Sequence, residues 1–165
     1  RAAQESRGLG DVYKRQDSSG VKAVFKTLKR GGFSIILPDH VPQPSGGVVV
    51  PFFGVKTLTS TLAPKLASKT KCALVGLSCI RRDDNRGFDI YCYKLDDPAL
   101  YDRNTEVATH ALNIAMQEMI EDQCSHYMWG YRRFKRIPNL GNPYRADSSK
   151  LQAFLKSAKD KRYKT

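Results

Sequence analysis

Two clusters in the sequence gather side chains that can bind or move charge. Pro38-Asp39-His40 directly follows the apolar run Phe33-Ser-Ile-Ile-Leu37, and Arg132-Arg133-Phe134-Lys135-Arg136 directly follows Tyr127, Met128, Trp129 and Tyr131. Ionisable side chains at the C-terminal end of an inner strand stand where open α/β sheets place their ligands. Asp39 there can orient a cation or a sugar hydroxyl, with His40 beside it; a turn capped by Asp39 explains the same residues without any ligand. Guanidinium groups suit bidentate contact with phosphate, which makes Arg132 and Arg133, with Lys135, candidates for an anion. The preceding aromatics should anchor that block to the core. An ion network with the acidic centre of the chain is the alternative.

The patterns of common catalytic machinery are missing. Neither G-x-x-x-x-G-K-[ST] nor G-x-G-x-x-G occurs, and Gly8-Leu9-Gly10 lacks the third glycine and a preceding strand. There is no G-x-S-x-G elbow. Cys124 and His126 lie two residues apart and offer no nucleophile and base geometry, so they read as structural. Cys72, Cys79, Cys92 and Cys124 show no C-x-x-C spacing for zinc and are too sparse for a disulfide framework. Reduced thiols are the expectation.

Charge is uneven. Residues 1–82 carry 14 basic and 4 acidic side chains, residues 83–122 carry 3 and 10, and residues 123–165 carry 11 and 2, giving segment charges of +10, −7 and +9 within a total of +12. Such a field attracts polyanions: nucleic acid, anionic lipid or an acidic protein. No apolar run approaches the ~20 residues that a spanning helix needs.

The elements that must position the two clusters follow from periodicity. Val21, Val24, Phe25 and Leu28 predict a helix from Ser18 that stops at Gly31-Gly32. Phe33–Leu37 and Val48–Phe53 read as strands, separated by a Pro/Gly/Ser-rich loop. A helix is expected within 57–69, beginning near Thr59 or Thr61, with Pro64 tolerable in its first turn. Cys72–Ile80, almost wholly apolar, reads as a strand buried on both faces of a mostly parallel sheet, paired with Phe88–Tyr93 in a hairpin-like unit. Asn104-Thr105 caps a helix to about Glu121, and Ser149–Arg162 closes the chain as a cationic amphipathic helix. The 165 residues, 41% of them hydrophobic, suit one domain. The alternation predicts an α/β fold with a mixed central sheet flanked by helices.

Leu-Pro-Asp-His at 37–40, Val50-Pro-Phe-Phe-Gly54 and Tyr127-Met-Trp-Gly-Tyr-Arg-Arg-Phe-Lys135 together resemble the C-terminal half of the lipid A biosynthesis acyltransferases, the late lauroyl and myristoyl transferases of Gram-negative bacteria. The resemblance covers about residues 17–145. It leaves 146–165 as a basic tail or short helix, and 1–16, whose stretch 8–16 fits no periodicity, as an uncertain or artefactual segment. What the resemblance implies is a glycerolipid-acyltransferase-like fold and transfer of a fatty acyl chain from acyl carrier protein to a hydroxyl of a phosphorylated glycolipid, a lipid A precursor. The place would be the cytoplasmic face of the inner membrane, in lipopolysaccharide biosynthesis, and no cofactor would be needed. Asp39 and His40 match one motif of the family, and Arg132, Arg133 and Lys135 another; these five are the candidate substrate-binding residues.

The chain departs from the family at His40, where most members have Gln, and at Gly130-Tyr131, where they have His. The family's catalytic His, four residues, then Asp or Glu is absent: five residues after His40, His110 and His126 stand Ser45, Ala115 and Tyr131. The resemblance therefore implies a fragment, truncated at the N-terminus, of a protein of roughly 300 residues. No catalytic residue is assigned, and the chain alone is expected not to transfer acyl groups. Two rivals remain: a non-catalytic basic module on anionic lipid surfaces, and a nucleic-acid binder, disfavoured because no RRM-type, zinc-finger or G-x-x-G signature is present.

Overall fold

The computed structural model describes residues 18–162, with side chains over 19–157; the segment 1–16 lies outside the described residues. Helix α1 (Ser18–Lys29) ends in a Schellman cap. Gly31, at φ +80°, lets the Gly32 N–H reach Thr27 O at 3.0 Å and its own N–H reach Leu28 O at 3.1 Å. The strand expected over Phe33–Leu37 does not form. The segment has no ladder partner among the described residues, and its alternate apolar side chains Phe33, Ile35 and Leu37 are exposed. A β-type sequence without a neighbouring strand has nothing to satisfy its backbone in register.

Strands β1 (Gly47–Phe52) and β2 (Val55–Ser60) form a hairpin with Phe52 opposite Val55. Its two turn residues, Phe53 and Gly54, both have positive φ, 48° and 73°, as a type I′ turn demands. Phe53 tolerates this conformation because α3 (Thr105–Asp122) holds it: Gln117 Oε1 accepts from the Phe53 N–H at 2.8 Å. Helix α2 (Leu62–Thr70) begins at the later of the two expected starts, with Thr61 as its N-cap, since the β-branched Thr57 and Thr59 are strand residues; Pro64 sits in its first turn.

Strands β3 (Leu74–Arg81) and β4 (Phe88–Leu95) make a second antiparallel hairpin. The strand expected to be parallel and buried on both faces is therefore antiparallel and covered on one. Gly76 faces Met119 of α3 so closely that an added Cβ would collide with the thioether, whereas Val75 and Leu77 on the other face are more than half exposed. Among the described residues the strands form two separate two-stranded sheets, and no mixed central sheet. The alternation of helix and strand was legible, but apolarity alone does not say which strands pair.

Helix α3 is capped by Asn104, whose Oδ1 accepts from the Glu106 N–H at 2.9 Å. It packs its inner face on β1 and on Leu100. Phe52, Leu100, Ala111, Leu112, Met116 and Ile120 form the core, each large side chain contributing roughly 1.5–3 kcal/mol by leaving water. Helix α4 (Ser148–Arg162) closes the described chain. No helix among the described residues is long and apolar enough to cross a membrane.

Candidate functional site

The two clusters singled out in the sequence meet. After α3 the chain tightens through successive short turns, with Trp129 N–H bonded to Tyr127 O, Tyr131 N–H to Met128 O and Arg133 N–H to Tyr131 O. This compact loop, residues 127–137, lies against the 38–41 turn. The Tyr127 hydroxyl donates to Asp39 Oδ2 at 3.0 Å, and the Tyr131 hydroxyl accepts from the Val41 N–H at 2.8 Å. The His40 ring stands 5.1 Å from that of Tyr131, and Lys135 Nζ lies 5.0 Å from the same ring. Trp129 is fixed by its own indole N–H to Cys124 O at 2.8 Å and by edge contact with Tyr127. Of the residues expected to anchor the basic block, Tyr127 packs against the core, whereas Met128 and Trp129 are exposed.

The candidate residues divide by exposure. His40, Arg132 and Lys135 are exposed, and Asp39 is half-buried beside them. The Arg132 guanidinium lies 5.8 Å from the Tyr144 ring. Arg133 is different, and the expectation that it meets an anion directly needs correcting. It is 2% exposed, stacked at 4.9 Å on the Phe52 ring, donating from Nη1 to Leu58 O at 2.9 Å and from Nη2 to Thr59 Oγ1 at 2.6 Å. Those bonds turn its charge inward. Together with Arg136 O, which accepts from the Leu58 N–H at 3.1 Å, they bind the loop to the outer edge of β2.

Electrostatics follow the packing. Burial raises the Tyr127 phenol above its ordinary range, and the Asp39 charge and hydrogen bond raise it further, so Tyr127 stays a neutral donor. Burial lowers Arg133, while the fields of Tyr127 and Asp39 act the other way. The site can thus hold an anion or a hydroxyl at an exposed cationic and aromatic rim, with one oriented carboxylate behind it. Among the described residues no cluster of His, Cys, Asp or Glu is assembled for a metal, and all four cysteines are free thiols.

Three participants escaped the sequence reading: Tyr127 as the partner of Asp39, and the buried Thr59 and Asn113 behind Arg133. Asn113 lies between Thr109 and Met116 on the inner stripe of α3, a polar residue among buried ones, and that was the available signal.

Residues 6–136 match the family model for bacterial lipid A biosynthesis acyltransferases. The chain belongs to this family. Among the curated lipid A acyltransferases, it is 31% identical over 124 residues to the lipid A biosynthesis lauroyltransferase of Escherichia coli strain K12, covering 74% of this chain and 40% of that protein. It is 27% identical over 139 residues to the lipid A biosynthesis acyltransferase of Haemophilus influenzae, covering 83% and 43%. The chain thus spans about two fifths of the length of these acyltransferases. Both clusters, Asp39-His40 and the block through Lys135, fall inside the family match, which also takes in residues 6–16.

Proposed function

We propose that this chain supplies the substrate-holding part of an enzyme that transfers a fatty acyl group from acyl carrier protein to a hydroxyl of a phosphorylated lipid A precursor, at the cytoplasmic face of the inner membrane. The observation that carries the reading is the meeting of Asp39 with the Tyr127–Lys135 block across nearly ninety residues of sequence. Arg132 and Lys135 contact glycolipid phosphate, Asp39 and His40 contact sugar hydroxyls, and Arg133 holds the loop that presents them. An acidic carrier protein is drawn to the same basic rim.

In the reaction the acceptor hydroxyl attacks the thioester carbonyl, its proton goes to a general base, and the carrier thiol leaves. The His-x4-Asp/Glu pair that the resemblance assigns to proton removal has no counterpart at His40, His110 or His126. The chain therefore binds glycolipid without turning it over. The test is incubation of the purified chain with acyl carrier protein bearing laurate or myristate and the phosphorylated precursor, reading both binding and product. Retained binding without product supports the division of labour, and product from the chain alone contradicts it.

A second reading rests on α4. Lys150, Lys156 and the half-exposed Leu155 give it a cationic and apolar surface suited to anionic lipid. Flotation with phosphatidylglycerol vesicles, beside a gel shift with random DNA, separates membrane docking from nucleic-acid binding.

A further inference from the structure

Behind the candidate site three elements converge on one hydroxyl. Thr59 Oγ1, on β2 and fully buried, accepts from Arg133 Nη2 of the loop at 2.6 Å and from Asn113 Nδ2 of α3 at 3.3 Å. Asn113 Nδ2 also donates to Pro51 O of β1 at 2.7 Å. One threonine side chain thus ties helix, hairpin and loop together.

The cluster is a costly way to fill a core. Arg133 Nε and Asn113 Oδ1 are buried without a hydrogen-bond partner, and no carboxylate forms an ion pair with the Arg133 guanidinium among the described residues. Apolar side chains of similar volume usually stabilise such a position as well or better than a buried charge. What the polar arrangement adds is direction. A guanidinium fork bonded to Leu58 O and Thr59 Oγ1 fixes the loop in one register along β2, which an apolar contact would not.

We infer that Asn113, Thr59 and Arg133 form a buried polar latch that positions the 127–137 loop, making Asn113 and Thr59 positioning residues for the exposed Arg132 and Lys135. The latch rests on the preceding functional reading only for what the loop binds; its own geometry is tested without substrate.

Trp129, the chain's single tryptophan, lies in that loop and reports on it alone. Three variants are compared with the unmodified chain: Thr59→Val, which removes the shared acceptor at nearly constant volume, Arg133→Met and Arg133→Lys. Trp129 is 57% exposed but held by its indole N–H on Cys124 O and its edge contact with Tyr127, so the readout is its mobility, measured as fluorescence anisotropy beside far-UV circular dichroism. All three should retain secondary structure yet show a clear fall in Trp129 anisotropy, as expected of local opening. Lysine should fail to rescue, because a single ammonium cannot reproduce the fork. Unchanged Trp129 signals in folded variants, or full rescue by lysine, would overturn the latch. A measurement on the unmodified chain stands whether or not any variant folds. The Arg133 Nε–H resonance should exchange with water at least tenfold more slowly than those of the exposed arginines, and exchange at their rate refutes the proposal.

Discussion

The Tyr127 hydroxyl donates to Asp39 Oδ2 at 3.0 Å, joining a turn before the first hairpin to a loop after the long helix. This one bond converts two separate sequence signals into a single site. Tyr127→Phe should cost about 1.5–3 kcal/mol, the range for a bond to an ionised acceptor, and less if water replaces the phenol. Urea denaturation at neutral pH measures it.

The same contact has a pH signature. Burial, reinforced by Asp39, raises the Tyr127 phenol in the folded state. The folded protein then keeps a proton that the unfolded chain releases near pH 10, so the stability from this group is complete below about pH 10 and falls as pH rises above it. Urea midpoints at pH 9 and 11 should drop more for the unmodified chain than for Tyr127→Phe. An equal drop in both removes Tyr127 as the cause.

Three glycines separate steric from conformational demands. Gly76→Ala must displace Met119 and should cost about 1–3 kcal/mol, partly recovered in the double variant with Met119→Ala. Gly31 has open space around it but sits at φ +80°, so Gly31→Ala should cost only about 1 kcal/mol. Gly130 has neither constraint, and Gly130→Ala should be within ~0.5 kcal/mol of neutral. Thermal melts of the three variants check the order.

Exposed cations should act through screened attraction. Lys135→Ala and Arg132→Ala are each expected to weaken binding of the phosphorylated glycolipid by about three- to tenfold at low salt, with the difference shrinking towards 0.5 M salt. Isothermal titration at two ionic strengths tests this; equal losses at both would point to packing instead.

Much of the architecture was legible because it is local. The spacing of Val21 to Leu28 with its Gly31-Gly32 stop, the Asn104 cap and the turn separating β3 from β4 each carry their own chemistry, and each element stands where that chemistry puts it. Pairing was legible only where an intervening turn announced it, between β3 and β4. Phe33–Leu37 reads as a strand but depends on a neighbour, and the near-continuous apolarity of β3 hides that only one face is covered among the described residues. At the site, residue types identified the two clusters, but not their division of labour. Arg132 and Arg133 are adjacent and identical in type, and only the direction each side chain takes from a tightly turned loop makes one a surface cation and the other a buried clamp.

The proposed function rests on a basic rim that holds a phosphorylated glycolipid. Its most direct test is the equilibrium binding of a phosphorylated lipid A precursor to the purified chain, compared with the Arg132→Ala/Lys135→Ala double variant in low salt. The account predicts saturable binding that the double variant weakens at least tenfold. Binding of equal strength in the double variant, or no binding by the unmodified chain, would contradict it.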